Sequence, residues 1–120
     1  MIINGHVLNK LPTEEETWEV FKQSDNNSCV GKAFVRSDKF HVVAGYKGVN
    51  YEVFEHTIDG SHHFKTDTER QYYLGLAVAR IDRLTKWMEV KEAYESMYAT
   101  QKPIEREFQE IINEQWHDFI

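Results

Sequence analysis

The longest helical pattern in this chain begins after Thr66 and constrains what the chain can fold into. No proline occurs between residues 67 and 102, and Gly75 is the only glycine there. Apolar residues recur in this stretch at spacings of three and four, which is typical of a helix with one buried face. They are Leu74, Ala77, Ile81, Leu84 and Met88, then Trp87, Val90, Tyr94 and Met97 with a shifted phase. We therefore predict that residues 67 to 100 are helical, either as one straight helix or with a bend near Lys86, where the two stripes change phase.

The length of this helix predicts an assembly. It would extend about 50 Å, because each helical residue adds about 1.5 Å, whereas a compact chain of this size has a radius of gyration of about 14 Å. A second helical stripe follows Pro103 and would fold back on the first as a hairpin. The apolar surface still exceeds what one subunit can cover, so we expect a homo-oligomer. Its predicted interface residues are Trp87, Tyr94, Phe108, Trp116 and Phe119.

Two segments have the spacing of a capping box, in which a Ser or Thr caps a helix and a Glu three residues later reaches back. Thr66 and Glu69 mark the start of the long helix. Thr13 and Glu16 have the same spacing, and the acidic run there suits the first turn of a helix. The second pair predicts an N-terminal helix over residues 14 to 24.

The middle of the chain is rich in Val, Phe, Tyr and Thr, which favour strands. The predicted strands are residues 29–36, 40–46, 49–58 and 61–65. Short turn signals separate them, so neighbouring strands must be antiparallel. Asn4-Gly5 is the signal of a further small hairpin.

The expected fold is therefore α+β: a four-stranded antiparallel β-meander with an N-terminal helix and a long C-terminal α-helical hairpin. We expect a single domain over residues 1 to 120. Residues 1 to 66 would be mainly sheet, and residues 67 to 120 would form the hairpin and serve as the oligomerisation element.

Charge and cysteine content limit the compartment and the partners. The formal net charge is −6, and Cys29 is the only cysteine. An acidic chain repels phosphate backbones and anionic membranes, and a single cysteine allows no internal disulfide. The sequence also shows neither a secretory signal nor a long apolar run. We expect a cytoplasmic protein without a membrane partner.

Residues 14 to 84 are predicted to include a helix, antiparallel strands and a second helix. This order resembles that of the double-stranded RNA-binding domain, which grips duplex phosphates with lysines at the start of its last helix. The corresponding segment here is TDTERQ, in which Asp67 and Glu69 would repel phosphate. The comparison argues against duplex nucleic acid as a partner.

The segment YEVFEHTIDGSHHFK contains several side chains that could bind a metal or act as acids and bases. If Asp59-Gly60 is a two-residue turn, His56 faces His63 across the strands, and the two could share a metal in a metal-dependent hydrolase. Zinc needs three or four ligands, so the turn interpretation is favoured and no metal site or cofactor is predicted. No nucleophile, zinc-protease or phosphate-loop motif is present, so an enzyme is not expected.

Basic and aromatic residues form the alternative site. Strand alternation puts Lys32 and Arg36 on one face, with an aromatic ring between them. Arg80 and Arg83 lie one helical turn apart. The predicted ligand-binding residues are Lys32, Arg36, Tyr46, Tyr72, Arg80 and Arg83, with the cations holding phosphates and a tyrosine stacking on a base.

The favoured function is binding without turnover, in which the chain captures or blocks a protein partner stoichiometrically. Small inhibitor and adaptor proteins, including those of phages and mobile elements, share this general appearance. The first alternative is an oligomer that binds and sequesters a nucleotide-like phosphorylated ligand. The second is the hydrolase described above.

Overall fold

The computed structural model describes residues 1–98, which form a six-stranded antiparallel sheet followed by one helix. Each strand pairs with the next one in sequence, so the sheet is a meander. The elements are β1 (Ile2–Ile3), β2 (His6–Lys10), β3 (Thr17–Lys22), β4 (Ser28–Arg36), β5 (Lys39–Tyr46), β6 (Val49–Thr57) and α1 (Asp67–Tyr98).

The predicted fold was wrong in three respects. The sheet has six strands instead of four, a strand replaces the N-terminal helix, and the described residues contain one α-helix instead of a helical hairpin. The second arm predicted for that hairpin, from Pro103 onward, lies outside the described residues. Without a helix before the strands, the likeness in element order to the double-stranded RNA-binding domain also disappears.

Most of the segment predicted as an N-terminal helix is strand β3, and Glu16, directly before that strand, has a distant partner. Its side chain is 2% exposed and accepts hydrogen bonds from Nε and Nη2 of Arg70 at 3.0–3.1 Å. Trp18 and Val20 alternate inward along β3. The hydroxyl of Thr13 donates a hydrogen bond to the carbonyl of Glu15, so no capping box forms. A capping pattern cannot reveal a partner 54 residues away.

The segment predicted as the last strand is a loop that closes one end of the sheet. The amide of Ile58 donates to the carbonyl of Asp38, and that of His62 donates to the carbonyl of Ser37. Ile58 and Phe64 are buried beneath this loop. Because residues 58 to 66 do not return along β6, the predicted pairing of His56 with His63 does not form.

The hairpin turns follow their sequence signals. Asn4 and Gly5 both have positive φ between β1 and β2, and Lys47 and Gly48 do so between β5 and β6. Positive φ at both central positions is the geometry of a type I′ turn, whose twist matches that of the flanking strands.

Helix α1 begins where the capping pattern predicted, since the amide of Glu69 donates to Oγ1 of Thr66 at 3.1 Å. Its predicted stripe is buried against one face of the sheet. The buried helix residues are Leu74, Ala77, Val78, Ile81, Leu84 and Met88, and they pack on Val20, Ala33, Val35, Phe40, Val42 and Ala44. Beyond Met88, the large apolar side chains of Val90 and Met97 are exposed.

The sheet therefore has a helix-covered face and an opposite face, here called the open face. Within residues 1–98, no helix combines the length and the apolar character needed to cross a membrane.

Candidate functional site

The six residues predicted to bind a ligand lie in separate places. Lys32 and Arg36 lie on the open face, as their alternation along β4 predicted. Tyr46 lies at the end of β5, and its hydroxyl donates to Glu92 at 2.9 Å. Arg83 is exposed on α1. Tyr72 and Arg80 line one cavity together.

That cavity lies between β6 and α1 and is here called the β6–α1 pocket. Its volume is about 290 Å³, at the small end of the range for ligand sites. The lining residues are Phe54, His56, Tyr72, Tyr73, Leu76 and Arg80. The pocket is open on one side, where Tyr72 is 63% exposed.

The spacing of the pocket residues along β6 and α1 explains why they lie close together. Phe54 and His56 are two apart on β6, so both point to the helix-covered face. Tyr72, Leu76 and Arg80 recur every fourth residue on α1 and therefore share one side of the helix. Since β6 is the last strand of the sheet, this side of α1 overhangs a sheet edge and leaves a cleft.

Arg80 supplies the positive charge of the pocket. Its guanidinium carbon lies 5.4 Å from the centroid of the Phe54 ring, in a cation–π contact. Its Nη1 is buried and has no hydrogen-bond partner among residues 1–98. A buried polar group without a partner costs about 1–3 kcal/mol, and more when it is charged. Because Nη1 has almost no accessible surface, an anion in the pocket could accept this hydrogen bond only after the guanidinium turned toward the cleft.

The remaining wall is aromatic. The Tyr73 ring stacks on Phe64 at 5.3 Å and lies 5.9 Å from the ring of His56, which in turn stacks on Phe54 at 6.1 Å. Burial raises the pKa of the Tyr73 phenol, and the charges of Glu69, Tyr72 and Asp59 add to the effect. Tyr73 therefore keeps its proton at neutral pH. The rings are held in place by the core and present flat apolar surface to the cleft.

The predicted phosphate cations of the open face form a different surface. Arg36 lies over Phe34, with its guanidinium carbon 5.3 Å from the ring centroid. Lys32 and Phe34 line a shallow cavity of about 210 Å³ together with Cys29, Gly31, Val43, Gly45 and Asn50. This cavity faces away from α1, so its residues cannot act on the same ligand as Arg80.

Tyr46 has a structural role at the far end of α1. Glu92 accepts hydrogen bonds from its hydroxyl and from Nζ of Lys47, the latter at 2.7 Å. Desolvation raises the pKa of Tyr46, and the bond to Glu92 raises it further. These contacts hold the β5–β6 turn against α1.

Two of the predicted oligomer-interface residues lie on α1. Trp87 packs against the edge of the core, with Nζ of Lys91 located 5.8 Å from its ring centroid. Tyr94 is partly buried further along the helix. Phe108, Trp116 and Phe119 lie outside the described residues, and assembly stays a prediction.

Sequence reasoning missed Phe54, His56, Tyr73 and Leu76 as pocket residues. His56 was considered only as a metal ligand, and Phe54 only as part of a strand. The signal that could have found them is the pairing of alternate residues on an edge strand with one side of a long helix. Using it requires knowing that β6 is an edge, which depends on the loop at residues 58 to 66.

Comparisons of the chain with protein-family models, with curated proteins and with solved structures gave no significant match.

Proposed function

We propose that this chain is a non-enzymatic binding protein whose β6–α1 pocket takes up a small planar anion, such as a phosphorylated ring compound. The observation that carries the proposal is the guanidinium of Arg80 in the wall of an aromatic cleft, with its Nη1 buried and without a hydrogen-bond partner among residues 1–98. In the free state Arg80 gains a cation–π contact with Phe54 but leaves this donor unmet, and an anionic ligand could satisfy it once the guanidinium turns toward the cleft.

The size and lining of the pocket define the ligand class. About 290 Å³ accommodates one ring system and one charged group. Phe54, His56 and Tyr73 offer ring faces for stacking, and the guanidinium of Arg80 offers a planar donor pair suited to phosphate or carboxylate. Nucleotide-like ligands and aromatic carboxylates share these properties.

The pocket residues favour binding over turnover. Among the described residues, the lining includes no Ser, Thr, Cys or Lys nucleophile, and no carboxylate that could activate its His and Tyr side chains. We therefore infer stoichiometric capture of the ligand. Blocking of a protein partner stays a prediction, and it would use a different surface.

Isothermal titration with phenyl phosphate and with adenosine monophosphate tests the proposal. Phenol, adenosine and inorganic phosphate serve as probes that lack either the charge or the ring. Arg80→Met should weaken binding of the charged ring compounds at least tenfold, because it removes a charge-assisted hydrogen bond worth about 1.5–3 kcal/mol. Arg36→Met is the matched control, since it removes the same kind of arginine from Phe34 on the open face.

Two results would contradict the proposal. One is the absence of binding of both charged compounds at millimolar concentration. The other is equal loss of affinity in Arg80→Met and Arg36→Met, which would place the effect in the net charge of the chain and not in the pocket.

A further inference from the structure

A β-bulge puts two glutamates on the open face. Glu52 and Glu55 are three residues apart on β6, so in a regular strand they would point to opposite faces. The register shifts at this point: Val42 pairs with Phe54 and Val43 with Glu52, which leaves Val53 as the extra residue. Glu52 and Glu55 consequently share the open face with His41, which pairs directly with Glu55. Bulges often serve to re-aim a side chain in this way.

His41 is held between two neighbours. Its ring stacks on Phe34 with centroids 5.1 Å apart and planes inclined at 18°. Its Nδ1 lies 2.9 Å from Oε1 of Glu52. The side chain is 19% exposed, so the imidazole is oriented while its edge can still be reached from solvent.

We propose that His41, Glu52 and Glu55 bind a divalent transition-metal ion, with Zn²⁺ as the best fit. Their ligand atoms lie within 4.8 Å of one another. Donors around a four-coordinate zinc are separated by about 3.4 Å when each bond is about 2.1 Å, so side-chain movements of about 1 Å would complete the site. One imidazole and two carboxylates are zinc ligands, and three protein ligands leave a fourth position for water.

Lys39 competes with the metal for Glu55. Its Nζ lies 3.2 Å from Oε1 of Glu55, and both side chains are about half exposed. An exposed ion pair of this kind contributes little. A divalent ion carries twice the charge and should displace the lysine. The site is therefore expected to bind zinc more tightly when Lys39 is neutralised.

Calorimetric titration of the full chain with zinc chloride at pH 7.5 tests the site. His41→Ala, Glu52→Gln and Glu55→Gln should each weaken zinc binding at least tenfold and remove the same binding step. Lys39→Met should strengthen that step about threefold. His63→Ala is the control, because His63 is an exposed histidine elsewhere on the chain and should leave the step unchanged. Near-ultraviolet circular dichroism checks that each variant is folded, and His41→Gln replaces His41→Ala if the latter is not.

The site is overturned if zinc does not bind below millimolar concentration, or if the wild-type titration survives in both His41→Gln and Glu55→Gln. A Lys39→Met variant that binds zinc more weakly would also contradict it, because the lysine would then support the site and not compete with it. The result is independent of the β6–α1 pocket, since Arg80→Met leaves all three ligands in place.

Discussion

Each face of the sheet carries an arginine over a phenylalanine ring, but the two arginines differ in burial and in hydrogen bonding. Arg36 lies 5.3 Å from Phe34 on the open face, and Arg80 lies 5.4 Å from Phe54 beneath α1. Arg36 is exposed, so water can satisfy its donors. Arg80 has a buried Nη1 with no partner among residues 1–98. The ring contact is common to both arginines, whereas the unmet hydrogen bond distinguishes Arg80.

Charge pairs show the same contrast between the faces. At the helix-covered side, buried Glu16 (2% exposed) pairs with Arg70 (24% exposed), while Lys39 and Glu55 pair in solvent with 51% and 45% exposure. Burial raises the cost of losing one partner, because the charge left behind cannot be solvated. We therefore expect the helix-covered side to determine stability, and the open face to tolerate change and remain available for ligands.

The largest expected effect comes from removing the partner of the buried Glu16 carboxylate. Arg70→Met should lower the free energy of unfolding by about 3 kcal/mol, because it leaves the carboxylate of Glu16 buried and uncompensated. Lys39→Met, which breaks the exposed pair, should change it by about 0.5 kcal/mol or less. Urea denaturation of both variants measures the difference.

The double variant Glu16→Gln/Arg70→Met separates this explanation from simple loss of packing. It should recover part of the stability lost in Arg70→Met, because no buried charge remains. Equal stability of the single and double variants would contradict the role given to Glu16.

The next effect compares two glycines. A Cβ on Gly31 would lie 2.4 Å from the carbonyl oxygen of Val43 and 2.7 Å from Cδ1 of Ile81, whereas one on Gly45 would meet nothing nearer than 3.5 Å. Gly31→Ala should therefore cost about 2 kcal/mol, since the backbone of β5 at Val43 and the side chain of Ile81 on α1 must both shift. Gly45→Ala should cost much less. Thermal denaturation compares them, and equal costs would mean that neither β5 nor α1 approaches Gly31 closely.

The sequence predicted those parts of the fold that depend on short-range signals. The Thr66 cap, the buried stripe of α1 and the turn at Lys47-Gly48 all follow from residues close together in the chain. Prediction failed where a distant partner decides the structure. The segment 14 to 24 has a helical capping pattern, but its residues from Thr17 to Lys22 pair in the sheet and Glu16 before them bonds to Arg70.

The candidate sites show the same limit. Tyr72 and Arg80 could be selected as an aromatic and a cation, but their neighbours Phe54 and His56 come from a strand whose edge position depends on the whole sheet. The metal site was missed because Glu52 and Glu55 share a face only through a bulge. A period-2 pattern puts them on opposite faces.

A smaller effect tests whether the unpartnered Nη1 of Arg80 lowers the free energy of unfolding. In the absence of ligand, Arg80→Met should raise the free energy of unfolding by about 1 kcal/mol, because a methionine of similar length fills the space without an unsatisfied donor. Arg36→Met should leave stability within about 0.5 kcal/mol of the wild type. Denaturation of ligand-free protein checks both. Destabilisation by Arg80→Met would show that the arginine stabilises the fold, which would contradict its role as an unsatisfied donor for an anion.

The smallest effect concerns Glu92, through which α1 holds the end of the sheet. The hydrogen bond from Lys47 lowers the pKa of Glu92, burial opposes this shift, and the bond from Tyr46 adds to it. A carboxyl group with a lowered pKa in the folded state stabilises the protein above its ordinary pKa of about 4.3, and that contribution is lost as the pH falls through the folded value. Wild type should therefore be slightly more stable than Glu92→Gln at pH 7, and this advantage should shrink as the pH falls through the folded value. In a Lys47→Met background most of this pH-dependent difference should vanish, because the main cause of the shift is gone. A difference that does not change with pH would mean that Glu92 holds the helix through its shape and not its charge.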